Sequence, residues 1–461
     1  MERNARTEKD VLGQMSIDAD DLRGIHTHRA LHNFNISGRT VSLRLIHSYA
    51  LVKKACAMAN REEGYLDPSV ADAICAATDE ILSGIHDSLF TLDALQGGAG
   101  TSTNMAVNEV IANRASQIAG QKISPLGHVN LHQSTNDTYP TALKISLIRL
   151  TREAASAAES LQGALQKKEK EFSSIVTLGR TELMSAVPMT LGREFSAFAE
   201  CVGRDRWRTF KCEERLRVVN LGGTAVGTAL AAPRSYVFRA TDTLRALCSL
   251  PLSRAENLVD NTANIDALVE VAGIFQAAAS NLIKIARDLR FLAHTEEISL
   301  PPLQAGSSIM PSKINPVLLE AIIQCGMKMS ASLSLVPRAA AEGSLQINEY
   351  LPLVADAMIE SIELYINGSR SLATHIAGIN ANQTTCEALV DSSPITLTAF
   401  LPLLGYEGCQ NLISQWKALS PVPPLRSFLI DTLGEETVLR FLSPSALIQL
   451  GFTPHKGAPH D

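Results

Sequence analysis

A mainly all-α fold built around a long central helix bundle is predicted by three features of the sequence. Four long runs place apolar residues at helical spacing: PTALKISLIRLTREAASAAESLQGALQKKEKEF, NTANIDALVEVAGIFQAAASNLIKIARDLRFLA, NPVLLEAIIQCGMKMSASLSLV and VADAMIESIELYINGSRSLATHIAGI. Hydrophobic residues make up 46% of the 461 positions but aromatic ones only 5%, a balance that suits helices packed through small side chains better than a β-sandwich. No β-rich block and no internal repeat interrupts the pattern.

The elements divide the chain into three expected parts. Residues 1–135 read as a small N-terminal helical domain. Its LIHSYALVKKACAMANREEG stretch ends on glycine, a helix stop. In DPSVADAICAATDEILSG, Asp67 and Pro68 make an N-cap and first-turn pair, and Gly84 closes the helix. The glycines of LQGGAGTSTNMAVNEVIANRA suit a loop, with a helix from Asn104 onward. Residues 136–382 hold the four long runs. Small residues such as Ala277, Ala278 and Ala279 let helices approach closely. Apolar stripes on more than one face imply burial against other copies of the chain, hence a homo-oligomer. Residues 383–461 return to shorter elements as a small C-terminal domain, and the terminal PHKGAPHD is expected to be disordered.

Several function classes are excluded by composition. The formal net charge is −6, and the densest basic patch, QKKEKEF, is balanced by glutamates, so neither nucleic acid nor an anionic membrane is an expected partner. No stretch of about eighteen apolar residues appears, so no membrane span is expected. The charged MERNARTEKD has no apolar core of the kind a signal peptide needs. The 8 cysteines show no C-x-x-C pair and no Cys/His ligand spacing, which fits buried thiols in a reducing cytoplasm and gives no metal site.

Four polar islands carry the candidate chemistry. They are GGAGTSTNM with Thr101, Ser102 and Thr103; NLHQSTNDTYP with Ser134, Thr135 and Asn136; GRTELMSAVPMTLG with Thr181 and Glu182; and QAGSSIMPSKINPVLLE with Ser307, Ser308, Lys313, Asn315 and Glu320. Hydroxyls and amides beside helix starts make natural carboxylate sites, because unpaired backbone N–H groups and the helix dipole favour an anion there. Taken singly, each island has an ordinary reading. STND is an N-cap cluster, and Thr181–Glu182 is the first turn of a helix. GGAGTST lacks the Gly-Lys-Ser/Thr of a P-loop, and GSSIMPSK has neither the G-x-S-x-G nor the S-x-x-K order of a serine hydrolase.

Together the islands resemble the aspartase/fumarase superfamily, with a likeness running from about RTEKDVLG to LLGYEG. GSSIMPSKINP is similar to that superfamily's most specific signature, while GIHTHRALHNFNISG, QGGAGTSTNM and HQSTNDTYPTA look more like aspartate ammonia-lyases than fumarases. The resemblance implies a three-domain, mainly helical chain assembled as a homotetramer through its central helices, with each active site shared between subunits. It implies elimination of a group from a substituted succinate to give fumarate, without a cofactor. By the same match Ser307 would be the general base, Lys313 the cation that supports it and Asn315 a carboxylate ligand. Thr101, Ser134 and Thr135 would bind a substrate carboxylate, with Ser102, Thr103 and Ser308 beside them. Asn136 would face the leaving group and Thr181 the other carboxylate. Gly306, next to Ser307, would let the loop move. The reaction passes through a carbanion that becomes a doubly charged aci-carboxylate, so many donors must already be aimed at it.

Three departures bear on the leaving group. Glu182 stands where relatives have His or Gln, and Ala106 replaces an asparagine of NMNxNEV. RDLRFLAHTEEISLP is shorter than the usual segment and lacks its Gly-Pro-Arg element. Glu182 would suit a cationic ammonium, and Glu320 is its expected neighbour across the site. Ammonia or an amine from aspartate or an aspartate-like substrate is therefore the leading reading. Water from malate, nitrite from nitrosuccinate and a catalytically silent paralogue are the alternatives.

Overall fold

The structure, a computed structural model, describes residues 5–452 and is mainly α-helical, as expected. The PHKGAPHD expectation lies outside the described residues. The contacts group the chain into two compact units, both built on segments of the same long helices. One takes residues up to Ala155 with Trp207–Ala279 and Met327–Tyr365, and the other takes Ser156–Arg206, Ser280–Gly326 and residues from Ile366 onward.

The first unit opens on a β-hairpin that the sequence reading did not anticipate. Ala5–Asp10 pairs antiparallel with Gly13–Asp18. Helices Leu43–Glu62 and Pro68–Leu82 lie where predicted. Ser42 caps the first by accepting from Arg44 N, and Asp67 caps the second by accepting from Ser69 N with Pro68 in the first turn. The two helices pack on each other, and Leu45, Val52, Ala55, Ala71 and Ile74 on them are close to fully buried. The helix Thr101–Ala119 follows the glycine turn, three residues earlier than expected. Gly100 has φ +88°, and a Cβ there would lie 2.2 Å from the Tyr139 ring, so only glycine fits that corner.

The longest helix, Thr135–Glu171, also starts earlier than the proline-free run implied and carries Pro140 inside it. Proline has no N–H to bond the carbonyl four residues back, which is that of Asn136. That carbonyl accepts instead from Asn220 Nδ2 at 2.9 Å, so the chain stays helical.

In the second unit, the island expected at a helix start is a β-hairpin. Val176–Thr181 pairs antiparallel with Met184–Thr190, and the helix Leu191–Leu216 begins only after it. The turn residues Glu182 and Leu183 both have positive φ, +53° and +66°. Hairpin turns of this hand favour Asn and Gly, so Glu-Leu gave no turn signal. The first-turn reading of Thr181 and Glu182 is therefore corrected: they stand at a hairpin tip. Short helices of the C-terminal part enclose their own core of Leu397, Phe400, Leu412, Trp416, Leu425, Leu429, Val438 and Leu442.

The helix Asp266–His294 is long and apolar enough to cross a membrane by length and composition, which the residue count had not flagged. Leu268, Val271, Ala272, Phe275, Ala279 and Leu282 on it are core residues, and apolar core helices satisfy the same criterion.

Candidate active site

Each unit carries part of the predicted site. Thr101, Ser102, Thr103, Ser134, Thr135 and Asn136 belong to the first. Thr181, Glu182, Ser307, Ser308, Lys313, Asn315 and Glu320 belong to the second.

In the second unit the signature stretch is a loop between the short strand Ile298–Ser299 and the helix Val317–Leu333. Its base is closed by main chain: Gly306 N donates to Lys313 O at 2.7 Å, and Asn315 Nδ2 donates to Gly306 O at 2.9 Å. A Cβ on Gly306 would lie 2.7 Å from Lys313 O and 2.9 Å from Asn315 N, so the closure needs glycine for space. Inside the loop, Ile309 N and Met310 N both donate to Ser307 Oγ, at 3.2 and 2.9 Å. Two amides aimed at one hydroxyl oxygen stabilise negative charge on it, which is what a serine acting as base requires. Ser307 and Asn315 are half-buried, while Ser308 and Lys313 are exposed.

Glu320 accepts from Arg290 Nη2 at 3.2 Å. Arg290 and Asn315 line a cavity of about 880 Å³ with Arg287, Phe291, His294 and Asn382. Glu182 lies instead on a smaller cavity of about 300 Å³ with Arg180, Glu194, Lys284 and Asp288. Burial and the nearby Asp288 carboxylate raise the Glu194 carboxyl. The strand leading to Thr181 is anchored by Glu297, whose side chain is fully buried and pairs with Arg180 at 2.7 Å. Glu297 also accepts from Thr177 and, at 2.7 Å, from Thr295.

In the first unit, Ser134 and Asp137 set the start of the longest helix. Ser134 N donates to Asp137 Oδ1 at 2.9 Å, and Asn136 N donates to Ser134 Oγ at 3.3 Å. Asp137 Oδ2 takes the N–H groups of Gly222 and Thr224, each at 3.1 Å. Complete burial still pushes this carboxyl up to about 6, against those donors. Asn136 Nδ2 donates to Ala225 O at 2.7 Å. Thr135 Oγ1 accepts from Asn104 Nδ2 at 3.0 Å. Thr103 is turned inward, 1% exposed, and donates to Gln96 at 3.0 Å, whereas Thr101 is exposed.

Sequence reasoning missed the polar layer beneath this island. Lys53 is completely buried, and its Nζ donates to Asn130 Oδ1 and Gln133 Oε1, both at 2.9 Å. Burial pulls its ammonium down to about 7. It sits in an apolar helical run beside Lys54, which is a surface ion-pair residue, so nothing in the local sequence separates the two.

The sequence model of a lyase family matches residues 13–330. Aspartate ammonia-lyase of Bacillus subtilis (strain 168) is 39% identical over 464 aligned positions, covering 98% of this chain and 97% of that protein. The chain belongs to the aspartase/fumarase superfamily of lyases. Another superfamily member, aspartate ammonia-lyase of Escherichia coli (strain K12), is 40% identical over 421 positions, 88% of each chain. Among solved superfamily structures, a fumarate lyase:delta crystallin from Brucella melitensis superposes with a TM-score of 0.91 at 37% identity, covering 96% of this chain and 99% of that one. A class II fumarase from Schistosoma mansoni gives a TM-score of 0.88 at 29% identity, covering 95% and 98%.

Proposed function

We propose that this chain is a cofactor-free carbon–nitrogen lyase that eliminates ammonia, or an amine, from aspartate or an aspartate-like substrate to give fumarate. The observation that carries the reading is the pair of main-chain donors on Ser307 Oγ, in a chain about 40% identical to proteins named aspartate ammonia-lyase. Ser307, as alkoxide, takes the proton from the carbon next to one carboxylate. The electron pair passes into that carboxylate as an aci-carboxylate, then returns to form the double bond as the C–N bond breaks and ammonia departs with the bond's electrons. Lys313, Asn315 and the hydroxyls of Thr101, Ser134, Thr135 and Thr181 supply positive charge and hydrogen bonds to the two carboxylates, with Ser102 and Ser308 beside them. Asn136 faces the leaving group. Glu182, to which no cation is bonded among the described residues, attracts the substrate's ammonium until its nitrogen leaves as ammonia, and Arg290 already balances Glu320.

The same reading makes the protein a cytoplasmic homotetramer of three-domain chains, with 136–382 as the shared core and with sites drawn from more than one subunit. Its support is an apolar pair on the long helix Leu191–Leu216: Trp207 and Phe210 stack edge-on while 75% and 54% exposed in the single chain. The test is ultraviolet detection of fumarate from a panel of C2-substituted succinates, with mass by light scattering. Turnover of malate or nitrosuccinate in preference to every amine substrate would overturn the leaving-group assignment, and an active monomer would overturn the shared site. Glu182→Gln should change the ranking of amine substrates and the pH profile of kcat/KM.

A further inference from the structure

The ammonium of Lys53 has only hydrogens to offer, so every group it meets must turn an acceptor toward it. It meets two amides from the 130–133 turn, through Asn130 Oδ1 and Gln133 Oε1. Around it stand the Tyr49 ring, with Nζ 5.8 Å from its centroid, Cys56 on its own helix, and Asp137 from the helix Thr135–Glu171. With its oxygen committed to Lys53, Asn130 uses Nδ2 on Gln133 O at 3.2 Å. The same Asn130 oxygen then accepts from Asn108 Nδ2 at 3.2 Å and Asn104 Nδ2 at 3.3 Å. Both of those asparagines are thereby held nitrogen-inward, and their own buried Oδ1 atoms are left without a partner among the described residues. Local satisfaction alone would not choose that orientation, because an unpaired buried carbonyl is costly. Its consequence falls on Thr135. Asn104 Nδ2 occupies the acceptor side of the Thr135 hydroxyl at 3.0 Å, and that hydroxyl's proton has no acceptor among the described residues. Were Asn104 reversed, its oxygen would capture the proton.

We propose that Lys53 is a positioning residue which, through the amides of Asn130 and Asn104, keeps Thr135 as a hydrogen-bond donor for a substrate carboxylate. This rests on the reading that Thr135 grips a carboxylate. One cation at the bottom of the layer sets the polarity of a hydroxyl it does not touch. The buried Asp137 carboxyl, which favours the charged lysine, completes the layer.

The experiment measures succinate affinity by calorimetry in the full-length protein. It compares the wild type with Lys53→Met, Thr135→Val and the double variant, and follows thermal unfolding of each. Each single change should weaken succinate about ten- to a hundred-fold, the range for a hydrogen bond to a charged group. The double variant should be no weaker than about one single variant, because both act through one hydroxyl. A Lys53→Met protein that melts earlier yet binds succinate like the wild type would overturn the proposal. So would a double variant whose loss is the product of the two, or a Thr135→Val protein with unchanged affinity. If Lys53→Met does not fold, Asn104→Leu breaks the same relay one step later, and unchanged succinate binding there overturns it equally. Coupled succinate binding in a wild type that does not turn over aspartate would refute the ammonia-lyase reading while leaving this relay standing.

Discussion

Replacing Ser307 by alanine removes the hydroxyl oxygen that two amides of the signature loop share. Ile309 N and Met310 N approach Ser307 Oγ at 3.2 and 2.9 Å. A hydrogen bond to a charged group contributes about 1.5–3 kcal/mol, so two of them favour the alkoxide over the hydroxyl by about 3–6 kcal/mol in a closed site. That lowers the hydroxyl's pKa from its ordinary value without bringing it near neutrality, so a cation must supply the rest. Lys313 is tied to the same loop through the Gly306 N to Lys313 O bond. Loss of a positioned base lowers turnover by about 10²–10⁴-fold, equivalent to about 2.7–5.4 kcal/mol of barrier. Stability should barely move, within about 0.5 kcal/mol, because the lost hydroxyl bonds only inside a half-exposed loop. The assay is steady-state fumarate release from aspartate, with calorimetric unfolding as the control for folding. A folded Ser307→Ala protein that turns over near the wild-type rate would remove Ser307 from the role and leave the two amides without a catalytic purpose.

Three further outcomes follow from other parts of the molecule. Gly306→Ala would press a Cβ against Lys313 O and Asn315 N, so kcat should drop at least tenfold with an almost unchanged melting temperature; unaltered kcat would mean that the loop works in another shape. Glu297→Gln should destabilise by about 3 kcal/mol by leaving the partly buried Arg180 without its counter-charge, and a melting temperature equal to the wild type's would contradict the anchoring of the Thr181 strand. Arg114, 2.7 Å away, and His86 hold the Glu80 carboxyl down to about 2 against a usual 4.5. A lowered acid adds stability that is present above its unfolded value and lost as pH falls through the folded one. The melting temperature should therefore fall across about pH 4.5 to 2, and less steeply in Glu80→Gln; parallel acid limbs would refute it.

What could be read from the chain follows the range of each interaction. Helices with their caps were legible because their signals are local: Asp67–Pro68 and the apolar periodicity act within a turn or two. The Thr181–Glu182 hairpin was not, because its left-handed turn is held by two residues with no preference for that conformation. The start of the longest helix was misread for a similar reason. Pro140 ends a helix by local rules, and only the distant Asn220 amide on Asn136 O makes it tolerable.

The sequence alone determined the helical class, the membership of a lyase superfamily and the residue types of the candidate site, since hydroxyls, a lysine and asparagines in Gly/Pro-marked loops are a one-dimensional pattern. Tertiary structure alone decided which of those groups point outward. It turned Thr103 in toward Gln96, left Thr101 exposed, set two amides on Ser307 and placed Arg290 on Glu320. It also singled out Lys53 from Lys54. Both are lysines in one helical run, yet one lies under the 130–133 turn with amide oxygens as its hydrogen-bond acceptors, and the other reaches Asp79 at the surface. The physical reason is that burial, charge balance and donor direction depend on what packs opposite a residue, and that partner lies tens of positions away in the chain.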